Sequence, residues 1–177
     1  IDEALQVAES SGAPATHLVF GLAPDGGRLP DFARGDLLTA LRSGLNVDAG
    51  LHEFLSEDPE FAAAARESGV VIRDVRRGPP RDQLHAFTGK IEQVTSKIIA
   101  VLGTDSAIGK RTTAVRLVQA FDAAGIRAEL IGTGQTSWLQ GVRYCIIEDA
   151  LVSDFMAGEI EHAVWSAWNE QHPDVIV

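Results

Sequence analysis

Apolar and polar positions alternate along this chain in two rhythms, and the switch between them predicts the elements. Asp2 to Glu9 reads as the remainder of a helix, and Thr16 to Gly21 (THLVFG) is a short apolar strand running into the turn-rich APDGGRLP. Leu37, Leu38 and Leu41 share one helical face, Gly44 stops that helix, and Leu45 to Val47 begins a second strand. Pro59 suits a first helical turn, Phe61 to Glu67 is an alanine-rich helix ended by Gly69, and Val70 to Val75 is strand-like again. Strand and helix alternating at this pitch predict a parallel, Rossmann-like α/β sheet.

The rhythm breaks at Arg76 to Gln83 (RRGPPRDQ), and no clear period returns before Thr95, so the domain boundary is expected there, with domains over 1–88 and 89–177. Lys97 to Leu102 (KIIAVL) is a nearly continuous apolar run, as expected of a strand covered on both faces. Ala114, Leu117, Val118 and Phe121 recur at helical spacing beyond it, and Gly125 precedes a strand over Ala128 to Ile131. The chain starts at Ile1 and stops in the strand-like Asp174 to Val177, so further elements are expected at both ends.

Charge narrows the partners. Fifteen basic against 25 acidic residues give a formal charge of −10, which removes the field that holds a nucleic-acid backbone. An anionic ligand must instead be held by helix N-termini and a few placed cations. The single cysteine, Cys145, excludes an intrachain disulfide and suits a reducing cytoplasm, and no apolar stretch approaches a membrane span. Cys145 lies in the apolar run Tyr144 to Ile147, where a small core residue is expected rather than a nucleophile.

The segment after KIIAVL carries the chemistry. GTDSAIGKRTT is a glycine-containing loop that enters a helix with lysine in its first turn, which aims backbone N–H groups and one ammonium at phosphate. The expected phosphate contacts are Gly103, Thr104, Asp105, Ser106, Ala107, Gly109, Lys110, Arg111, Thr112 and Thr113. Thr104 holds the place of the first glycine of the usual pattern, and Arg111 displaces the hydroxyl that ligates Mg²⁺ by at least one residue. That weakens the case for metal without weakening the case for phosphate, so coenzyme A becomes as credible a ligand as ATP. The GTD opening also resembles dethiobiotin synthetase, which places Asp105 inside the loop as a loop-stabilising acceptor or a substrate contact.

A wider resemblance covers nearly the whole chain. GLAPDGGRLP, GLHEFLSEDPE, DVR, GTDSAIGKRTT, GTGQTSWLQG and DALVSDFMAGEIE occur in the order found in a bacterial and archaeal P-loop family labelled a domain of unknown function. A characterised branch of that family is similar to D-glutamate N-acetyltransferase. The resemblance implies an N-terminal Rossmann-like domain, a C-terminal P-loop domain, and acetyl transfer from acetyl-CoA to the amino group of D-glutamate. It also implies a continuation past Val177 into a glycine-rich, glutamate-containing loop.

Acetyl transfer needs an amine held against a thioester, a proton acceptor and donors for an oxyanion. Asp149, Asp154 and Glu159 are the candidates for amine binding or proton removal. Asp149 follows a strand, whereas Asp154 begins a helix with the apolar face Met156, Ile160, Ala163, Val164 and Ala167, and serves equally well as its cap. Glu159 and His162 are one turn apart on the other side of that helix, with solvated surface the plainer role for His162. Gln135, Thr136 and Trp138 suit contact with adenine, pantetheine or substrate, against a plain loop with a core tryptophan.

In the first domain, Gly27 and Arg28 lie in a glycine turn after the first strand, His52 lies in GLHEFL, and Arg76 suits a carboxylate clamp. Trp165 and Trp168 read as core or subunit contacts, and the protein as a homo-oligomer with a small amino-acid substrate. The rivals to the transferase are an ATP- and Mg²⁺-dependent ligase or kinase-like enzyme, and a nucleotide-responsive regulatory module without turnover.

Overall fold

Helix α1 (Asp2–Ser10), strand β1 (His17–Phe20), helix α2 (Asp31–Arg42), strand β2 (Asn46–Ala49), helix α3 (Pro59–Ser68) and strand β3 (Ile72–Asp74) form the first of two units, Ile1–Arg77. The computed structural model describes residues 1–22, 24–105 and 107–177. The three strands make a parallel sheet in the order β1-β2-β3, with Val47 opposite Leu18 and Ile72. Leu37, Leu38 and Leu41 of α2 are buried against Val47, Ala49, Phe61 and Ala64, so the helical face read in the sequence is the core face. Gly44 ends that helix at φ 83°, a left-handed conformation that favours glycine.

Helix α3 is set at both ends. Asp58 caps it, accepting from the amides of Glu60 (2.9 Å) and Phe61 (3.3 Å), Pro59 fills the first helical position, and Gly69 closes it at φ 67°. The Arg34 guanidinium grips the same carboxylate through two bonds of 2.9 and 3.0 Å. That grip, and then the helix amides, hold the Asp58 carboxyl below its ordinary value of 3.8 against the opposing effect of burial. Its contribution to stability is therefore full above the unfolded value and is lost as pH falls through the lower folded one. Asp58→Ala is expected to cost about 1–2 kcal/mol at neutral pH, read as a lower urea midpoint, with the difference shrinking as pH falls below the ordinary 3.8.

The second unit is Gly78–Val177. It comprises β4 (Lys97–Ile98), α4 (Lys110–Ala123), β5 (Ala128–Glu129), β6 (Ile131–Gly132), α5 (Gln135–Leu139), β7 (Tyr144–Cys145), α6 (Ser153–Gln171) and β8 (Val175–Ile176). Strand β8 lies between β4 and β5, and β6 pairs β7, all in parallel. The Ile131 amide donates to the Val177 carbonyl at 2.9 Å, carrying the pairing from β5 on into β6.

Alternate residues of the last strand face different helices. Val175 and Val177 pack with Ala114, Leu117 and Val118 of α4, and Ile176 packs with Val164, Ala167 and Trp168 of α6. KIIAVL departs from expectation. Only Lys97–Ile98 is regular strand, Ile99 and Val101 pack toward α4, and Ile98 and Leu102 are 49% and 86% exposed, so its apolar run covers one face and not two.

Candidate functional site

In a parallel sheet every strand ends at the same edge, and the loops leaving that edge build sites. In the first unit, the loops after β1 and β2 meet there. Gly27 accepts from the His52 amide at 2.8 Å and has φ 65°, and a Cβ at Gly27 would lie 2.0 Å from the His52 ring, so only glycine admits this contact. The Leu29 amide donates to the Glu53 carboxylate, and Arg76 Nε donates to the Gly50 carbonyl at 2.9 Å. Gly27, His52 and Arg76 thus come together, with Arg28 exposed beside them. Asp74, at the end of β3, ties down the β2 loop by accepting from the Leu55 amide at 2.8 Å and the Ser56 amide at 3.1 Å.

The corresponding edge of the second unit carries three segments: the glycine loop after β4, the 132–141 loop after β6, and the 3₁₀ turn Glu148–Ala150 after β7. The glycine loop delivers Lys110 as the first residue of α4. Gly109 precedes it at φ 94° with no side-chain cap, so the first amides of the helix, those of Lys110, Arg111 and Thr112, have no intrahelical acceptor and face out of its end. Lys110 folds back over its own loop, its Nζ donating to the Asp105 carbonyl. A Cβ at Gly103 would lie 2.5 Å from Ile108 Cδ1 and 2.9 Å from Lys110 Cδ, so Gly103 is the residue that lets the lysine cross the loop. Ala107 adopts φ 54° within the turn. Gly103, Thr104, Asp105, Ala107, Gly109, Arg111, Thr112 and Thr113 are all exposed, and Ser106 lies outside the described residues.

Arg111 joins two of these segments by donating to the Gln140 side chain at the end of the 132–141 loop. In that loop Gln135 carries a buried Oε1 without a hydrogen-bond partner, whereas Trp138 is 36% exposed and so is no core residue. Thr136 is exposed. Gly132 packs where a Cβ would lie 2.5 Å from Ser137 Cβ and 2.9 Å from Cys145 Sγ. Burial pushes the Cys145 thiol up, and its Sγ lies 3.6 Å from the Gly134 carbonyl, which suits a packing group rather than a thiolate nucleophile.

The turn after β7 holds a residue that the pattern did not single out. Asp149 is exposed, but its neighbour Glu148 is half-buried, and burial together with the adjacent Asp149 charge pushes the Glu148 carboxyl above its ordinary 4.5. A carboxylate in this state is a better proton acceptor than a solvated one. The only hint in the sequence is the pairing of two acids, Glu148-Asp149, directly after the apolar run.

Helix α6 places the other candidates differently. Val152 is its N-cap and no side chain caps it, so Asp154 is an exposed first-turn residue and not the cap. Glu159 is engaged in structure: it accepts from the His85 amide at 2.6 Å and meets His85 Nδ1 at 3.0 Å. His162 is half-buried and stacks on the exposed His85 with ring centroids 3.5 Å apart, so neither Glu159 nor His162 is plain solvated surface. Trp165 Nε1 donates to the Gln93 side chain at 3.3 Å, and Trp168 Nε1 donates to Thr95 Oγ1 at 3.1 Å.

Comparison with known proteins agrees with this anatomy. Residues 1–78 match a Rossmann-like domain of unknown function, DUF1611_N, and residues 85–177 match the P-loop domain of unknown function DUF1611_C. The chain is 36% identical over 157 residues to a D-glutamate N-acetyltransferase of Tritonibacter scottomollicae, covering 87% of this chain and 45% of that one. It is 28% identical over 171 residues to a D-glutamate N-acetyltransferase of a Pseudoalteromonas species, covering 96% and 49% respectively. The chain therefore spans about half the length of the curated relatives it matches. The crystal structure of a DUF1611 family protein from Anabaena variabilis superposes with a TM-score of 0.81 at 34% identity, over 92% of this chain and 46% of that one. With both domain families matched end to end, the chain belongs to the DUF1611 family, a Rossmann-like domain followed by a P-loop domain.

Proposed function

We propose that the protein is an amino-acid N-acetyltransferase that moves acetyl from acetyl-CoA to the amino group of D-glutamate. The observation that carries this reading is that, in the second unit, the open N-terminus of α4 with Lys110 and Arg111 and the half-buried Glu148 both follow the C-terminal ends of parallel strands. The relatives named D-glutamate N-acetyltransferase supply the reaction.

The chain's residues fit the donor. Coenzyme A offers a pyrophosphate and a 3′-phosphate, and the unpartnered amides of Lys110, Arg111 and Thr112 with two cations suit them without a metal. Acetyl-CoA supplies the activated thioester. In the transfer the amine nitrogen attacks the thioester carbonyl, the C–N bond forms, the C–S bond breaks, and the departing sulfur takes a proton. The ammonium of the acceptor must first lose a proton, and Glu148 is the residue best suited to receive it. Gln135, whose buried Oε1 needs a donor, is suited to accept from an N–H of the bound ligand.

Calorimetry and turnover on the intact protein test the reading together. Acetyl-CoA is expected to bind without Mg²⁺ and D-glutamate to be acetylated, with Lys110→Ala weakening acetyl-CoA binding roughly 10- to 100-fold through loss of one charge-assisted contact. Binding of ATP with Mg²⁺ in place of acetyl-CoA would sink the proposal in favour of a ligase. Tight acetyl-CoA binding without turnover on any amino acid would leave a regulatory module.

A further inference from the structure

The stretch from His85 to Thr95 lies along α6 as a strap. Its near end is held by Glu159, which takes the His85 amide, and by the face-to-face stack of His85 on His162, with interplanar angle 6°. Its middle is held by Glu161, only 4% exposed, which accepts from the Thr88 amide (2.7 Å), Thr88 Oγ1 (3.0 Å) and the Ile91 amide (3.1 Å). Gly158 is the residue the strap crosses: a Cβ there would lie 2.0 Å from the His85 carbonyl oxygen. None of these groups takes part in the proposed transfer.

We propose that the His85–His162 stack makes the near end of the strap a proton-sensitive latch on α6, closed while the pair bears at most one positive charge and released when both rings are imidazolium. Parallel imidazoles whose centroids are 3.5 Å apart tolerate a single charge shared with Glu159, but two charges at that spacing repel. The groups facing the pair are Glu159 and Glu170 on α6, Lys90 on the strap, and Arg143, Tyr144 and Cys145 at β7. The histidine faces water as well, because His162 lines a cleft of about 320 Å³ together with Arg143, Cys145 and Glu170.

Burial, then His85, and Lys90 after them, hold His162 below its ordinary 6.5, against the pull of Glu159 and Glu170. The sign follows: proton affinity is lower in the latched state, so latching is favoured above the ordinary imidazole value and is lost as pH falls below it. Glu161 behaves oppositely. Burial would raise its carboxyl, but the Thr88 and Ile91 bonds outweigh that and lower it, so the middle of the strap stays ionically held at pH values where the near end lets go.

Amide hydrogen exchange on the intact protein, corrected for intrinsic chemistry, tests the latch between about pH 7.5 and 5.5. Protection of the His85 amide is expected to fall by up to about tenfold across that range, the most that one imidazole of ordinary value 6.5 can contribute at pH 5.5, while the Thr88 and Ile91 amides keep theirs. His162→Phe preserves a ring to stack on but no charge, and should flatten the pH dependence. Constant protection of His85 in the parent protein, or an unchanged pH profile in His162→Phe, would overturn the proposal. Should that variant fail to fold, the two imidazoles of the parent protein can be titrated by NMR. Two separated steps support the latch, and a single step at the ordinary value refutes it.

Discussion

On the proposed reaction, Glu148→Gln is expected to lower kcat for acetylation of D-glutamate by roughly 100-fold or more, the usual scale for removing a positioned proton acceptor. Glutamine keeps the shape and one acceptor oxygen but cannot take a proton, so acetyl-CoA binding should stay near its parent value. The pH profile separates this from a structural role. With the Glu148 carboxyl raised above 4.5, the parent activity should climb as pH rises through that raised value, and the climb should vanish in the variant. Stability should move in the opposite direction to activity. A carboxyl whose folded value is raised binds its proton more tightly when folded, so its ionised form weakens the fold at neutral pH, and glutamine relieves that strain. A variant that loses activity while its melting temperature holds or rises supports the role. One that loses both, with the pH profile unchanged, assigns Glu148 to the fold alone.

Most of the architecture was legible because it rests on periodicity and punctuation. The α2 leucines, the Asp58-Pro59 start and Gly69 stop of α3, and the strand-loop-lysine order of the P-loop domain's glycine loop each have a local cause that a sequence carries. What could not be read depends on residues distant in sequence. The apolar face assigned to α6 included Ile160, which is 36% exposed, and left out Glu161, which is buried, because the amides that satisfy its carboxylate come from Thr88 and Ile91 some 70 residues earlier. Likewise Glu159 looked free to do chemistry while its true partner, His85, lay in a stretch without period. Gly158 carried no sign at all that another backbone would cross it. The KIIAVL run misled for the opposite reason: apolar composition predicts cover, and only one of its faces is covered by residues of this unit.

That crossing yields the second large effect. By helix propensity alone, Gly158→Ala should stabilise α6 by about 1 kcal/mol, since glycine is the poorer helix former. The contact reverses the sign. The added methyl would sit 2.0 Å from the His85 carbonyl oxygen and 2.6 Å from both Ala86 C and Phe87 N, and all three are backbone atoms that no rotamer change can move aside. The strap must lift, and lifting it pulls the Thr88 and Ile91 amides from Glu161, stranding a carboxylate that is 4% exposed. Overpacking of this kind costs roughly 3 kcal/mol, so the net loss should be about 2 kcal/mol and the melting temperature should drop by roughly 5 °C. Hydrogen exchange should show the His85 and Thr88 amides losing protection first. An alanine variant as stable as the parent, with those amides still protected, would mean that the strap does not cross α6 at Gly158 in solution.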